Sequence, residues 1–266
     1  MSTLKSFRIQ KVFGQLIKQI LCIAMVILVI LPILLTVFAS LKTKGDMVTT
    51  SPLALPANIT WENYKVVLSN KYLRIGFKNT LLIAAISIFF NVLLGTITTY
   101  IIERFNFRGK KLVVGLFFIG MLVPSFVTEI ARFKIINGIG LYNTLKAPIV
   151  IYVASDLMQL YIYRQFLSTL SESLDESALL DGCNYFQLFV RIIFPLLAPA
   201  TATVTIIKAI TIINDMYIPY LYMPGNKLRT LTTFLMDYAN VQQGSWQNLA
   251  AGIVIIMLPT ILIYIF

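Results

Sequence analysis

The sequence predicts an all-α fold, a polytopic membrane protein with about six transmembrane helices. The first reason is composition: 58% of the 266 residues are hydrophobic, 12% are charged and the mean hydropathy is +0.82. This is more apolar surface than one soluble core can bury. The second reason is that the apolar residues form blocks of about 20 residues, without the period of half-buried helices or strands. Hydrocarbon offers no hydrogen bonds to the backbone, so helices of this length are expected to cross it.

Six apolar blocks follow one another along residues 1–266 and form a single transmembrane domain. Each block is close to the length of about 20 residues that crosses about 30 Å of hydrocarbon. The first block is expected to remain as a signal anchor, because it is long and has no small-x-small cleavage site. The last block ends at Phe266 without a polar anchor, so the natural chain is expected to continue. The predicted spans are residues 20–40, 80–102, 112–128, 147–163, 195–213 and 249–266.

The distribution of positive charge predicts the orientation of the chain. Residues 103–111, between the second and third blocks, hold four cations in nine residues, the density expected of a short cytoplasmic turn. The first loop, 41–79, spreads six cations over a much longer segment and therefore counts for less. An even number of spans then places both termini in the cytoplasm. Anionic lipid headgroups and this rule explain the net charge of +11, so a nucleic-acid partner is not expected.

The residues needed for common catalytic and metal sites are missing or badly spaced. The chain has no histidine, and its two cysteines, Cys22 and Cys183, indicate neither a zinc cluster nor a disulfide framework. It also has no Gly-x-x-x-x-Gly-Lys-Ser/Thr phosphate cradle, because Pro224-Gly-Asn-Lys227 is too short and is interpreted as a turn. We therefore expect no catalytic residue, metal or cofactor in this chain.

The polar stretch 171–194, between the fourth and fifth blocks, predicts a short helix, a turn and a second helix. Ser173 with Glu176 three residues later fits a capping box, and the acids around them favour a helix N-terminus. Gly182 supplies a place for the backbone to turn, and Asn184 could cap the second helix. The predicted unit is compact, with an acidic leading edge and an apolar body, and it fits a groove on a partner protein. An ordinary solvated acidic loop is the alternative.

A distinctive series begins within this stretch. It reads Glu176-Ser-Ala-Leu-Leu-Asp181-Gly182-Cys183 and continues with Phe189, Ile192 and Pro195-Leu196. The series resembles the Glu-Ala-Ala loop of ABC importer permeases, whose pattern runs Glu-Ala-Ala, two residues, Asp-Gly-Ala, then Phe, Ile and Leu-Pro-Leu. Three residues depart from this pattern but are modest in size and leave the turn intact. They are Ser177, Cys183 and Phe194.

Weaker landmarks resemble the carbohydrate branch of the same family, the maltose and multiple-sugar type, and extend the resemblance over nearly the whole chain. One departure is Ile213, where the family usually has Trp before Asn-Asp. The landmarks are Phe38-Ala-Ser-Leu-Lys42, Glu62-Asn-Tyr64, Phe77-Lys-Asn-Thr80, Leu141-Tyr-Asn-Thr144, Asn214-Asp215 with Pro219, and Trp246 before Leu249-Ala-Ala251.

The resemblance implies a transmembrane permease subunit of an ATP-driven sugar importer in the plasma membrane of a bacterium or archaeon. It implies that the chain pairs with a second, similar permease and that each places its loop in a groove of an ABC ATPase dimer. An extracytoplasmic sugar-binding protein would deliver the sugar, and ATP and Mg would act on the ATPase, so this chain is not itself an enzyme. The residues that the resemblance assigns to coupling are Glu176 and Asp181 as polar contacts, Gly182 as the turn, Ala178, Tyr185 and Phe186 as packing residues, and Pro195 at the start of the fifth span.

Two other functions remain open. A secondary transporter driven by an ion gradient would explain Asp156 and Lys208, which lie in apolar blocks at depths that allow an ion pair. A permease of the same superfamily for phosphonate, amino acids or peptides would differ only in its cargo.

Polar residues within or at the edges of the blocks are candidates for the sugar pathway. Asn91, Asn214 and Asp215 can form the hydrogen bonds that hydroxyl ligands need. Hydrogen bonds between helices are the alternative for these residues. Pro124, within the third predicted span, is interpreted as a structurally tolerated membrane proline, and a kink that lets helices rearrange is the alternative.

Overall fold

The computed structural model describes residues 2–154, 156–239 and 245–265, and in that part of the chain it is helical with no strand. Phe266, the last residue of the sixth predicted span, lies outside the described residues. The helices are α1 (Ser2–Leu41), α2 (Lys44–Thr49), α3 (Glu62–Ser69), α4 (Lys71–Arg104), α5 (Lys110–Leu122), α6 (Ser125–Gly138), α7 (Lys146–Val153), α8 (Leu157–Leu167), α9 (Glu172–Leu180), α10 (Tyr185–Leu188), a π-helical turn (Phe189–Ile193), α11 (Phe194–Leu196), α12 (Ala198–Asn214), α13 (Tyr217–Tyr222), a 3-10 turn (Asn226–Leu228), α14 (Leu231–Leu235) and α15 (Trp246–Ile265).

Three described helices are long and apolar enough to cross a membrane without interruption. They are Gly14–Leu41 of α1, the whole of α4 and the whole of α15, and they coincide with the first, second and sixth predicted spans, which remain predictions as membrane crossings. With 34 residues, α4 is about 50 Å long, well beyond the thickness of the hydrocarbon. At least one end of α4 is therefore expected to extend beyond the hydrocarbon.

The third predicted span, 112–128, is wrong as a continuous helix. Helices α5 and α6 meet at a bend of 110°. Val123 is extended, with φ −82° and ψ 116°, which is the conformation that a residue preceding proline prefers. Pro124 itself has ψ 134° and lacks the N–H that would continue the helix. The interpretation of Pro124 as a tolerated proline inside one helix is therefore also wrong.

The fourth predicted span, 147–163, is divided as well. Helices α7 and α8 have 8 and 11 residues, so each is shorter than the about 20 residues needed to cross hydrocarbon. The fifth span consists mainly of α12, which follows the Tyr185–Leu196 segment after a bend of 71°. The described helices therefore provide three to five candidate spans, and the count of about six remains a prediction.

The chain divides into two compact units, of which the first consists of Met1–Asn70 and Leu235–Leu258. Within this unit, α3 caps the C-terminus of α1. The Asn63 side-chain amide donates to the carbonyls of Ser40 at 2.8 Å and Lys42 at 2.9 Å. These bonds satisfy acceptors that a helix end leaves without an intrahelical partner.

The second unit consists of Lys71–Phe234 and Pro259–Phe266. Helix α4 is its centre and contacts α7, α8 and α12. Gly95 of α4 lies so close to Gln159 of α8 that an added Cβ would collide with the amide. Small residues at such positions let membrane helices approach closely. Helix α4 is thus the axis around which the polar residues of this unit are arranged.

Candidate docking surface and its connection to the helix core

Helix α9 begins two residues earlier than the predicted capping box places it. Its N-cap is Ser171, whose Oγ accepts a hydrogen bond from the Ser173 backbone N–H at 3.3 Å. The predicted box of Ser173 with Glu176 is therefore wrong, because Ser173 already lies inside the helix. Glu172 and Asp175 occupy the first turn, where the partial positive charge of the helix N-terminus favours acids.

The turn after α9 depends on a glycine. Gly182 has φ +89°, in the left-handed region that L-residues other than glycine rarely adopt. Its N–H donates to the Leu179 carbonyl at 3.1 Å, and the Cys183 N–H donates to the Ala178 carbonyl at 3.0 Å. This pair of bonds is the Schellman pattern, which closes a helix C-terminus and reverses the chain. The predicted turn at Gly182 is confirmed.

The second helix, α10, is capped at its start as predicted. The Gln187 N–H donates to Asn184 Oδ1 at 2.8 Å, and the Asn184 N–H donates to Gln187 Oε1 at 3.1 Å. A π-helical turn and α11 then lead into the bend before α12. Pro195 lies in α11 at this bend. We call α9, the turn and α10 together the loop unit; it is joined to the fifth span through this short segment.

A buried arginine at the end of α4 holds the loop unit. The Arg104 side chain is only 10% exposed, and its Nη2 donates to the Leu170 carbonyl at 2.8 Å. Arg104 Nε lies 3.2 Å from Asp175 Oδ2, and Nη1 lies 3.5 Å from Glu172 Oε1. Burial raises the pKa of the Asp175 carboxyl, while the Arg104 guanidinium lowers it. We call these contacts the Arg104 clamp.

Aromatic packing reinforces the Arg104 clamp. The Tyr100 ring of α4 contacts Phe105 edge-on at 5.7 Å between centroids and Phe189 at 5.5 Å, and Phe105 in turn contacts Tyr185 at 5.2 Å. Ala178 is 5% exposed and belongs to the same core. The resemblance assigned Ala178 to packing against a partner, whereas its side chain packs inside this chain. Its small size allows α9 to lie close to the core.

The opposite face of the loop unit is exposed and mixes apolar with acidic side chains. Leu180 is 88% exposed and Phe186 75%, and Glu176 and Asp181 are exposed beside them in the sequence. Tyr185 is 55% exposed even though its ring contacts Phe105. Large apolar side chains that are exposed outside the apolar blocks mark a candidate interaction site. Leu180 was not predicted for this role, because the sequence alone does not show which of the apolar residues in α9 face outward.

Asn91 belongs to α4 and is fully buried, and its side chain contacts the break between α7 and α8. Its side-chain amide donates to the carbonyls of Ala154 at 2.9 Å and Val153 at 3.3 Å, where α7 ends. Gln159 of α8 donates in turn to the Asn91 carbonyl at 2.9 Å. Asn91 thus forms the interhelical hydrogen bonds that were the alternative to a sugar contact.

Asp156 and Lys208 form the ion pair that the sequence left open as one possibility. Lys208 Nζ donates to Asp156 Oδ2 at 2.5 Å, across the two predicted spans. Asp156 Oδ1 also accepts the Gln159 N–H at 2.8 Å and so caps the N-terminus of α8. The carboxylate is therefore needed by the broken helix whether or not an ion is transported.

Asp215 and Asn214 lie together after α12 but differ in their contacts. Asp215 Oδ2 accepts a hydrogen bond from Tyr152 Oη at 2.7 Å, and its Oδ1 accepts the Tyr217 N–H at 2.7 Å. Asn214 is exposed, and its amide donates within its own helix to the Ile210 carbonyl at 2.9 Å. Of the three pathway candidates, Asn214 has the most accessible side chain.

A second buried polar group was missed. Glu129 is 7% exposed, accepts a hydrogen bond from Tyr222 Oη at 2.6 Å and pairs with Arg132. This group connects α6 to α13. The predicted third span ended at residue 128, which placed Glu129 in a loop, and only a recognised break at Pro124 would have indicated a buried position.

Comparison with known proteins agrees with this arrangement. A family model for the binding-protein-dependent transport system inner membrane component matches residues 91–266, which include the loop unit. The probable starch degradation products transport system permease protein AmyC of Thermoanaerobacterium thermosulfurigenes is 29% identical over 249 residues, covering 91% of this chain and 88% of AmyC. The melibiose/raffinose/stachyose import permease protein MelC of Bacillus subtilis is 27% identical over 237 residues, covering 88% and 85%.

The fold also matches a solved structure. A chain from the crystal structure of a bacterial ABC transporter involved in the import of the acidic polysaccharide alginate superposes with a TM-score of 0.85 at 20% identity. The match covers 96% of this chain and 94% of that chain. The bent and divided helices described above therefore belong to a fold that is already known.

We predict that Asn91→Leu, a change of similar volume, lowers the stability of the protein. The carbonyls that end α7 would lose a buried donor, and one unsatisfied buried polar group costs about 1–3 kcal/mol. Asn214→Leu is the matched control, since it removes only an exposed bond within one helix. Thermal unfolding of the purified variants in one detergent measures the difference. Equal midpoints for Asn91→Leu and the wild type would contradict the structural role.

Proposed function

This chain belongs to the family of binding-protein-dependent transport system inner membrane components, and from that premise we propose that it is the permease subunit of an ATP-driven sugar importer. The name of AmyC specifies starch degradation products, and that of MelC specifies melibiose, raffinose and stachyose. These names favour a sugar, and an oligosaccharide in particular. The family name favours an extracytoplasmic binding protein as the source of the sugar. Transport is the role of the family, so the chain is a transport component and not an enzyme.

The exposed face of the loop unit is the proposed docking site for one subunit of an ABC ATPase dimer. The observation that carries this proposal is that apolar Leu180 and Phe186 stand exposed on a unit whose other face is anchored by the Arg104 clamp. Apolar groups at the centre of an interface supply most of its binding energy. Glu176 and Asp181 would provide polar contacts at its rim, and Gly182 would set the angle between α9 and α10. ATP and Mg would be bound by the ATPase.

The clamp also supports the proposed orientation. Arg104 belongs to the cation-rich segment 103–111, and it contacts Glu172 and Asp175 directly. The cation-rich turn and the loop unit therefore lie on the same side of the membrane. Since short cation-rich turns favour the cytoplasm, the loop unit faces the compartment that holds ATP, and the N-terminus lies there too.

A second, similar permease would complete the pathway. The apolar part of α1, within Gly14–Leu41, has none of its most apolar window buried in this chain. Lipid and the second permease are the proposed neighbours of this surface. Among the polar candidates, Asn214 is proposed to line the pathway, with Asp215 holding the adjacent helix in place. Asn91 is proposed to support the pathway from behind by holding the break between α7 and α8.

In the proposed mechanism, movement of the ATPase is transmitted through the loop unit to α4. The Arg104 clamp joins the start of α9 to the end of α4, and Asn91 joins the middle of α4 to the ends of α7 and α8. A displacement of the loop unit would therefore tilt these helices together. The transporter would alternate between inward-open and outward-open states as α4, α7 and α8 change together between two arrangements.

The alternative of a secondary transporter has less support. It was suggested by charges within the apolar blocks, but Asp156 caps α8 and pairs with Lys208, so helix architecture accounts for both residues. A non-sugar cargo within the same family is disfavoured by the names of the relatives.

We predict that Leu180→Arg removes the ATPase from the complex. A cation in the centre of an apolar interface would lie unpaired, and its desolvation would cost several kcal/mol. Co-purification from membranes in mild detergent is expected to recover at least about tenfold less ATPase, with the second permease still bound. Val48→Arg, at a position of similar exposure in the other unit, is the control and should retain the ATPase. Unchanged recovery with Leu180→Arg would contradict docking at this face.

We predict that Arg104→Gln uncouples ATP hydrolysis from sugar uptake while the subunits remain associated. Glutamine cannot reach the Leu170 carbonyl and both acids, so α9 would move without α4. Uptake into vesicles should fall by about tenfold or more for each ATP hydrolysed, since one charge-assisted hydrogen bond and two ion pairs are lost together. Arg191→Gln removes an exposed arginine and should leave the ratio unchanged. If Arg104→Gln transports as much sugar for each ATP hydrolysed as the wild type does, the Arg104 clamp has no role in coupling.

A further inference from the structure

An apolar crevice outside the loop unit runs between α5 on one side and α4 and α8 on the other. The cavity that Arg164 helps to line, which we call the main cavity because it borders the three helices α4, α5 and α8, has a volume of about 540 Å³, within the range of small-molecule sites. The lining includes Thr99, Ile102, Val114, Phe118, Met121 and Leu160. A neighbouring cavity of about 560 Å³ shares Met121 and continues to Asp156. From Arg164 at one end to Asp156 at the other, the crevice extends about 12 Å along α8.

The crevice has a cation at one mouth. Arg164 Nε lies 3.2 Å from Glu103 Oε1, and the Arg164 side chain is 65% exposed. The described residues provide no partner for its two Nη groups, which leaves four N–H donors available to an anion. The turn that follows Glu103 adds three more cations. They are Arg108, Lys110 and Lys111.

The shape of the crevice favours a flexible chain over a protein helix. A helix with its side chains is about 10–12 Å wide, so a single turn occupies about 500 Å³, nearly the whole main cavity. An acyl chain is narrower and can follow the crevice along α8. No described residue of α5 is buried by the rest of the chain, so α5 forms a wall that lipid can reach from the bilayer.

We infer that the crevice binds an acyl chain of an anionic phospholipid, with its phosphate at Arg164. Guanidinium groups bind phosphate through paired, charge-assisted hydrogen bonds, and the cations of residues 103–111 add attraction for anionic headgroups. The lipid comes from the inner leaflet, a choice that rests on the proposed orientation. Binding itself requires neither transport nor the ATPase, so a failure of this inference is distinguishable from a failure of the proposed function.

Photo-crosslinking tests this site. The purified complex is reconstituted in vesicles of phosphatidylglycerol and phosphatidylcholine that contain a trace of phosphatidylglycerol with a photoactivatable group in its acyl chain. Peptide mapping is expected to find label on α5 and α8. Unlabelled phosphatidylglycerol should compete at least about fivefold better than phosphatidylcholine, and Arg164→Gln should abolish that preference, since it removes the guanidinium that binds the phosphate.

A bulky side chain within the crevice provides the matched comparison. Val114→Trp, which fills the main cavity, should reduce labelling of α8 at least about fivefold, whereas Ile119→Trp on the exposed side of the same helix should not. Three results would each overturn the inference: unchanged labelling in Val114→Trp, equal competition by the two lipids in the wild type, or label recovered only on another subunit. The wild-type competition remains decisive even if Val114→Trp does not assemble.

Discussion

The buried Arg104 guanidinium is the contact on which the proposed coupling depends. It lies at the end of a 34-residue helix and binds the carbonyl of Leu170 as well as the acids that begin α9. A cation with so little access to water is stable there only while it is paired, and breaking a buried pair costs about 3–5 kcal/mol. Helix α9 therefore cannot move away from α4 without a large penalty. In the proposed mechanism, this rigidity allows the loop unit to transmit the movement of the ATPase to α4.

The same helix satisfies a second constraint, which comes from the membrane. Broken helices leave carbonyl and N–H groups that hydrocarbon cannot pair, so protein side chains must pair them. Asn91 supplies donors where α7 ends, and Asp156 supplies an acceptor where α8 begins. Lys208 then neutralises the carboxylate. Asn91, Asp156 and Lys208 are thus explained by the geometry of the helix breaks, and Asn214, whose side chain is exposed, remains the proposed contact with sugar.

Much of this arrangement could be predicted from the sequence, and the remainder has identifiable causes. Long apolar blocks predicted α1, α4 and α15, and local rules predicted the turn at Gly182 and the cap at Asn184. Continuous helices were wrongly predicted across Pro124 and across 147–163, because hydropathy does not register where the backbone leaves the helix. The Arg104 clamp could not be predicted, since Leu170 lies 66 positions away and no local pattern joins them. Ala178 was assigned to packing against a partner because the sequence does not show which side of a short helix faces the core. That orientation depends on tertiary packing.

The distance between the end of α4 and α9 tests the central claim most directly. Pulsed electron paramagnetic resonance measures this distance in the assembled transporter between spin labels at Ile101→Cys and Ser173→Cys. The native cysteines, Cys22 and Cys183, are first replaced by serine. If the Arg104 clamp is a rigid connection, the distance stays narrow and constant with and without ATP, while distances between the two permease subunits change. A distribution that broadens, or shifts by about one helical turn of 5.4 Å on ATP binding, would show that the loop unit moves independently of α4 and would contradict the account.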